Sequence, residues 1–321
     1  MKINRRTFFK IITAFSFLAS VPKYVNSFQS KYATLVYIPN CDGCENEPLP
    51  RCVKACRDLN RYRFPEPKKP IQPYWPRPNY EDWSNERDRI DTLTPYNWLF
   101  VQKIQIENNT INIPRRCMHC DYPPCVKGCP FGALSKEPEG NTVIDDKICF
   151  GGAKCRDICP WHIPQRQAGV GFYLKLLPKF AGGGVMYKCD LCNDRIKKGV
   201  EPACVIACRD RLKDKSVYKF GRREDIYAEA KRRTENEGVY IYGMDQNGGT
   251  GTIYLSTVPF EKIEAKLKDI KARFQMPVKV RNRYSDITKP LGIALVTATL
   301  FGAVTGTLAA ILTKKGAERG L

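Results

Sequence analysis

The stretch Cys117-Met-His-Cys120-Asp-Tyr-Pro-Pro-Cys125-Val-Lys-Gly-Cys129-Pro130 indicates how this chain is organised. Its spacing is C-x2-C-x4-C-x3-C, with a proline directly after the last cysteine. Similar groups lie on both sides of it, and together they use all 15 cysteines of the 321 residues. Along the chain, group one is Cys41, Cys44, Cys52 and Cys56; group two is Cys117, Cys120, Cys125 and Cys129; group three is Cys149, Cys155 and Cys159; group four is Cys189, Cys192, Cys204 and Cys208.

The spacing of group two is close to the bacterial ferredoxin run C-x2-C-x2-C-x3-C-P, whose fourth cysteine ligates the other cluster of a pair. Three closely spaced thiolates can hold one cluster on a tight loop, while the fourth lies on a helix that points away. The groups also repeat. Residues 52–58 (CVKACRD) match residues 204–210 (CVIACRD), whereas groups two and three both end in Cys-Pro. The outer groups therefore match each other, as do the inner groups, which indicates internal duplication.

Other uses of so many cysteines fit less well. A disulfide framework is typical of small secreted chains with an even cysteine count, and a catalytic thiol would stand apart from the groups. Zinc is the main alternative metal, because a C-x2-C pair alone would suit it. Soft thiolates suit both zinc and iron–sulfur clusters. Four groups that each end in C-x3-C favour iron–sulfur clusters over zinc.

The formal charge of +20 raises nucleic acid or anionic lipid as partners. Four thiolate-ligated clusters of about −2 each would offset about 8 of these charges. The basic residues are spread along the chain, so we expect a solvated basic surface and no nucleic-acid partner.

The N-terminal residues 1–30 form the predicted export signal. Arg5 and Arg6 are followed by Phe and Lys and then by an apolar run at 11–21. A basic region before a short apolar region is typical of secretory signals, and the arginine pair indicates the twin-arginine route. An ordinary secretory signal is the alternative.

Residues 288–313 form the predicted transmembrane helix. Residues 290–313 contain no charge and would span about 36 Å as a helix, more than the hydrocarbon core of about 30 Å. The tail at 314–321 begins with two lysines, which predicts a cytoplasmic tail and a body on the periplasmic side of the inner membrane. A buried helix of a soluble protein is the alternative.

Between the two ends, residues 64–97 are rich in Pro, Trp and Tyr, and we expect an ordered surface excursion with little regular structure. Alternation across 99–113 predicts a hairpin. The apolar periodicity at 225–233 and at 260–273 predicts amphipathic helices.

The residues from Cys117 to Ala133, and those from Tyr187 to Cys204 (YKCDLCNDRIKKGVEPAC), resemble the iron–sulfur subunits of respiratory molybdenum enzymes and of membrane-bound nickel–iron hydrogenases. The similarity covers roughly residues 35–220. The signal and the anchor are most similar to hydrogenase-type ferredoxin subunits, and formate dehydrogenase subunits are similar at the anchor.

The resemblance implies an α+β, loop-rich body at 31–285, made of two ferredoxin-like modules that together hold four clusters. The outer module would combine residues 31–63 with 186–260, and the inner module would be 110–170. The implied ligand sets are Cys41, Cys44, Cys52 and Cys208; Cys189, Cys192, Cys204 and Cys56; Cys117, Cys120, Cys125 and Cys159; and Cys149, Cys155 and Cys129.

Two departures from the family pattern are visible. Seven residues separate Cys44 from Cys52, where two are usual, and Gly152 stands where group three should have a cysteine. The inner module therefore offers seven cysteines to two clusters, which predicts three 4Fe-4S clusters and one 3Fe-4S cluster. For His119 and His162, hydrogen bonding or packing beside the clusters is expected before ligation.

The predicted function is an electron-transfer subunit, not an enzyme in itself. It would relay electrons between a large catalytic subunit, from a hydrogenase or a molybdenum enzyme, and an integral membrane quinone-reactive or cytochrome subunit. A zinc-stabilised membrane scaffold without redox activity is the alternative.

Overall fold

The computed structural model describes residues 30–71, 81–176 and 184–284. The predicted export signal, except for residue 30, the predicted helix at 288–313 and the tail lie outside the described residues. The strands are β1 Tyr32–Tyr37, β2 Phe100–Ile106, β3 Asn109–Arg115, β4 Leu134–Lys136, β5 Thr142–Ile144, β6 Gln165–Ala168, β7 Gly184–Tyr187, β8 Tyr218–Arg222, β9 Tyr240–Tyr242 and β10 Thr252–Ser256. The helices are α1 Arg51–Asn60, α2 Pro124–Lys127, α3 Lys154–Asp157, α4 Tyr173–Leu176, α5 Asn193–Ile196, α6 Ala203–Leu212, α7 Arg223–Glu237 and α8 Phe260–Asp269. Short 3-10 turns occupy Ile38–Asn40, Arg61–Arg63, Lys213–Lys215 and Gln246–Gly248.

The largest sheet has four strands in the order β8-β1-β10-β9. β1 runs parallel to β10 and antiparallel to β8, and Leu35 pairs with Ile253 in the parallel register. Because successive side chains in a strand point to opposite faces, Leu35 packs under α7 against Ile226 and Ala230, whereas Val36 faces the main core. The sheet therefore joins the first described strand to segments more than 180 residues later.

Two matching helices lie beside this sheet. α1 and α6 carry the repeated C-V-x-A-C sequence, each begins directly after a proline, and the two helices pack against each other. Residues four apart share one face of a helix, so Cys52 and Cys56 are buried on one face of α1, and Cys204 and Cys208 on one face of α6.

The inner groups follow a smaller version of this plan. Two-stranded ladders join β4 to β5 and β6 to β7, and the one-turn helices α2 and α3 pack together. Gly128 at the end of α2 leaves room for the Ile158 side chain, since a Cβ there would lie 2.3 Å from Cδ1 of Ile158 and would force that side chain to move. The whole is the mixed α/β, loop-rich arrangement that the sequence predicts.

The local predictions at 99–113, 225–233 and 260–273 are confirmed by the hairpin β2–β3 and by α7 and α8. α7 is longer than predicted, and α8 ends earlier, just before the left-handed Lys271 (φ 49°). Among the described residues, no helix is both long and apolar enough to cross a membrane.

The excursion at 64–97 lacks helices and ladder strands in its described parts, as predicted. Its last residues are not at the surface, however. Leu93 and Tyr96 are at most 2% exposed, because they pack into the core beside β2. The prediction of a surface position is therefore wrong for the end of this segment.

Candidate functional site

The fold gathers the thiols into four spatial sets, here numbered one to four. Set one lies at one end, where a loop, α1 and the end of α6 surround a small cavity. Its thiols are Cys41, Cys44, Cys52 and Cys208. Burial raises the pKa of Cys41 to about 12. Arg211 holds the loop in place by donating from Nη1 to the Asp42 carboxylate across 2.9 Å.

Set two lies between the two matching helices and the loop of group four. Burial raises the pKa of Cys56 well above its ordinary value, and its neighbours Cys189, Cys204 and Cys192 raise it further. These four thiols therefore form one set, although they come from groups one and four.

Two side chains donate hydrogen bonds to the thiols of set two. Arg116 donates from Nη1 to Cys204 Sγ across 3.8 Å, and Asn60 donates from Nδ2 to Cys56 Sγ across 3.8 Å. Burial alone would lower the pKa of Arg116, but the pKa is raised because the buried thiols Cys204 and Cys189 outweigh burial. In set two, therefore, a buried cation donates a hydrogen bond to one of the sulfurs.

His119 links the two halves of the site. Its Nδ1 accepts from the backbone N–H of Thr142 at 3.1 Å, so the ring proton is on Nε2, which lies 3.6 Å from Cys189 Sγ. Burial lowers the pKa of His119 well below its ordinary value, and Lys188 and Arg116 add to this. His119 is thus a neutral donor to a thiol, in agreement with the expected hydrogen bonding.

Set three occupies a small cavity in the inner module. Its thiols are Cys117, Cys120, Cys125 and Cys159, and all of them are buried. Trp161 and Ile163 close the cavity, and the buried Lys188 lines it on the side of set two. The Lys188 ammonium donates to the carbonyl oxygens of Thr142 and Cys189, which keeps it between these two sets.

Set four occupies a small cavity at the other end. Three thiols line it, namely Cys129, Cys149 and Cys155. Gly152 lines the same cavity and is exposed. Phe131 and Phe150 stack at its mouth with ring centroids 4.8 Å apart. The position that lacks a thiol is therefore also the position that solvent reaches.

The sets follow one another in numerical order. Burial raises the pKa of Cys52 in set one, and a thiol of set two raises it further. In the same way, burial raises the pKa of Cys189 in set two, and Cys117 of set three raises it further. Burial and then Cys125 of set three raise the pKa of Cys155 in set four. Thiols of neighbouring sets are therefore close enough to interact, and sets one and four form the two ends.

The donor chemistry of these sets fits iron–sulfur clusters. Within the described ranges, no three Cys, His, Asp or Glu side chains converge tightly enough for a single metal ion, whereas the thiols surround larger cavities. Beside set two, the buried Nε and Nη2 of Arg116 also have no acceptor in the part of the chain that the structure describes. Cluster sulfurs would supply acceptors to such donors.

Sequence reasoning missed the buried cations. Arg115, Arg116 and Lys188 are at most 6% exposed, so the expectation that the basic residues form only a solvated surface is wrong for them. The sequence carries no periodic signal for their burial. A usable clue for Arg116 and Lys188 would have been their position directly before the first cysteine of groups two and four, because a charge beside a thiolate motif can be paired with the metal site.

Comparisons with known proteins agree with this site. Residues 109–216 and residues 40–133 match two families that are both described as 4Fe-4S dicluster domains. The hydrogenase-2 operon protein HybA of Escherichia coli O157:H7 is 30% identical over 293 residues, covering 79% of this chain and 78% of the relative. The B subunit of anaerobic dimethyl sulfoxide reductase from Escherichia coli K12 is 29% identical over 189 residues, covering 58% of this chain and 73% of the relative.

A shorter match, 38% identical over 98 residues, is to the B subunit of anaerobic dimethyl sulfoxide reductase from Haemophilus influenzae and covers 30% of this chain and 42% of the relative. Both dicluster matches fall on the cysteine groups, and the match to HybA extends over more than two thirds of each protein. This chain therefore belongs to the family of 4Fe-4S dicluster iron–sulfur subunits that includes HybA and the B subunit of dimethyl sulfoxide reductase.

Proposed function

We propose that this chain relays electrons through four iron–sulfur clusters between a large catalytic subunit and an integral membrane subunit that reacts with quinone or carries a cytochrome. Like its relatives, the chain is an electron-transfer subunit of an oxidoreductase complex and not the catalytic subunit. The family match favours this function over a zinc-stabilised scaffold.

One observation carries the proposal: four sets of thiols succeed one another through the interior, and the two end sets reach the surface. Cys41 and Cys44 of set one, Cys192 of set two and Cys129 of set four are partly exposed, whereas all thiols of set three are buried. Bound clusters would accept and release one electron each. The chain's own residues would hold them in a row, exclude water from set three and place donors beside the sulfurs.

We assign a three-iron cluster to set four and 4Fe-4S clusters to the other sets. Set four offers three thiols and Gly152, whereas each other set offers four. An iron at the corner without a thiolate would face solvent, because Gly152 is exposed, and such an iron is easily lost.

The two ends differ in a way that supports two different partners. Phe131 and Phe172 near set four are 45% and 50% exposed, and exposed apolar patches mark interaction sites. The loop of set one is instead tied by the ion pair of Asp42 and Arg211. We therefore assign the membrane partner to the set-four end and the catalytic partner, a hydrogenase or a molybdenum enzyme, to the set-one end.

Metal analysis of the purified full-length protein with its partners tests the function directly. We expect a brown protein with iron in all four sets, and the co-purifying large subunit identifies the catalytic partner. Stoichiometric zinc with little iron would contradict the electron-transfer function.

We further propose that the body lies on the periplasmic side of the inner membrane, held by the C-terminal helix. Replacing Arg5 and Arg6 by Lys should leave the protein in the cytoplasm, and deleting residues 288–321 should release it from the membrane. Unchanged export of the first variant, measured in cells in which no partner subunit carries a signal, would overturn the proposed route. Retention of the second variant would mean that partner contacts supply the anchor.

A further inference from the structure

One buried arginine has fewer hydrogen-bond partners than its guanidinium requires. Arg116 is 1% exposed, its Nη1 donates to Cys204 Sγ, and its Nε and Nη2 have no partner among the described residues. A buried charge with unpaired N–H groups is costly unless an anion accepts from them. The anion that set two would hold is a thiolate-ligated cluster, so this inference rests on the proposed function.

The preceding residue provides a contrast inside the same strand end. Arg115 is also buried, at 2% exposed, but it faces away from the thiols and donates to the carbonyl oxygens of Phe274 and Gln275 at 3.3 Å and 2.8 Å. Two adjacent arginines are therefore equally buried, and one of them is directed at set two.

The thiols of set two also have the strongest side-chain donors around them. Three side-chain nitrogens lie within 3.6–3.8 Å of these sulfurs; they belong to Asn60, Arg116 and His119. In set three the corresponding side-chain contact is the Thr142 hydroxyl at 3.7 Å, and in set four a backbone N–H of Met186 donates at 3.5 Å. Neither of these two donors is charged.

We propose that Arg116 raises the reduction potential of the cluster in set two. Reduction adds a negative charge to a group that is already negative. A cation bonded to its sulfur therefore stabilises the reduced form more than the oxidised form.

A redox titration followed by electron paramagnetic resonance, performed on the intact complex, tests this proposal. The signal of set two is first identified by its loss in Cys192→Ser. We expect Arg116→Met to make reduction of set two about tenfold less favourable, which is about 59 mV for a one-electron couple. Arg115→Met is the matched control, and we expect it to leave all midpoint potentials in place.

Iron content is measured for every variant, because a buried arginine can be needed for folding. If the Arg116→Met protein does not assemble the set-two cluster, Arg116→Lys is measured instead, because it keeps the charge but not the planar fork. We then expect a smaller shift of the set-two midpoint potential in the same direction. Equal shifts for Arg115→Met and Arg116→Met, a shift spread over all clusters, or full iron with no shift in either Arg116 variant would overturn the proposal. Absence of iron from set two of the unaltered protein would instead overturn the proposed function.

Discussion

Sets three and four use nearly the same scaffold but leave their cavities in different states. Both cavities are bounded by a one-turn helix and a Cys-Pro step. Set three has four buried thiols under Trp161, whereas set four has three thiols and the exposed Gly152. The two sites therefore differ at one ligand position and not in the surrounding backbone: set three is closed to solvent by four thiols, whereas set four is open at Gly152.

The largest effect is expected from removing a thiol of the closed set. Cys125→Ser should prevent assembly of the set-three cluster and interrupt the row. Electron transfer through the intact complex should fall by at least about 100-fold, the upper end of what loss of an outer-shell partner costs. The rate of acceptor reduction and the iron content of the protein measure this. Iron and rate equal to those of the unaltered protein would show that set three is not a cluster site.

Supplying the missing thiol should convert set four into a four-thiol site like set three. We expect Gly152→Cys to add about one iron per protein molecule, to remove the three-iron signal of the oxidised protein and to give a signal of the reduced state. Gly152 is not among the residues with positive φ, so a cysteine is compatible with its backbone. Gly152→Ala is the matched control and should keep the three-iron signal. The same outcome in both variants would refute the ligand-count explanation.

A smaller effect is expected at the mouth of set four. Phe131→Ala removes a stacked pair with Phe150, which is worth about 0.5–1.5 kcal/mol beyond its buried area, and it opens the cavity further. Iron should therefore be lost a few times faster in air from set four, followed by the decay of its signal. Tyr62→Ala, at a residue that is 76% exposed, is the control. Equal decay rates in the two variants would mean that the aromatic pair does not shield the site.

Much of this site could be predicted from the sequence, because spacing limits which thiols can meet. The repeat C-V-x-A-C places two thiols on one helix face, and the missing cysteine at Gly152 is visible without coordinates. The parallel pairing of β1 with β10 could not be predicted, since it depends on contacts between residues more than 200 positions apart. The role of Arg116 was hidden for a related reason: an arginine is ordinarily exposed, and only the packing shows which of two adjacent arginines faces the thiols.

Iron analysis combined with electron paramagnetic resonance of the oxidised, unaltered protein tests the central claim most directly. Three 4Fe-4S clusters and one 3Fe-4S cluster predict about 15 iron atoms per protein molecule and a three-iron signal from set four. About 16 iron atoms with a silent oxidised spectrum would mean that a ligand other than cysteine completes a fourth 4Fe-4S cluster beside Gly152, and would contradict the account.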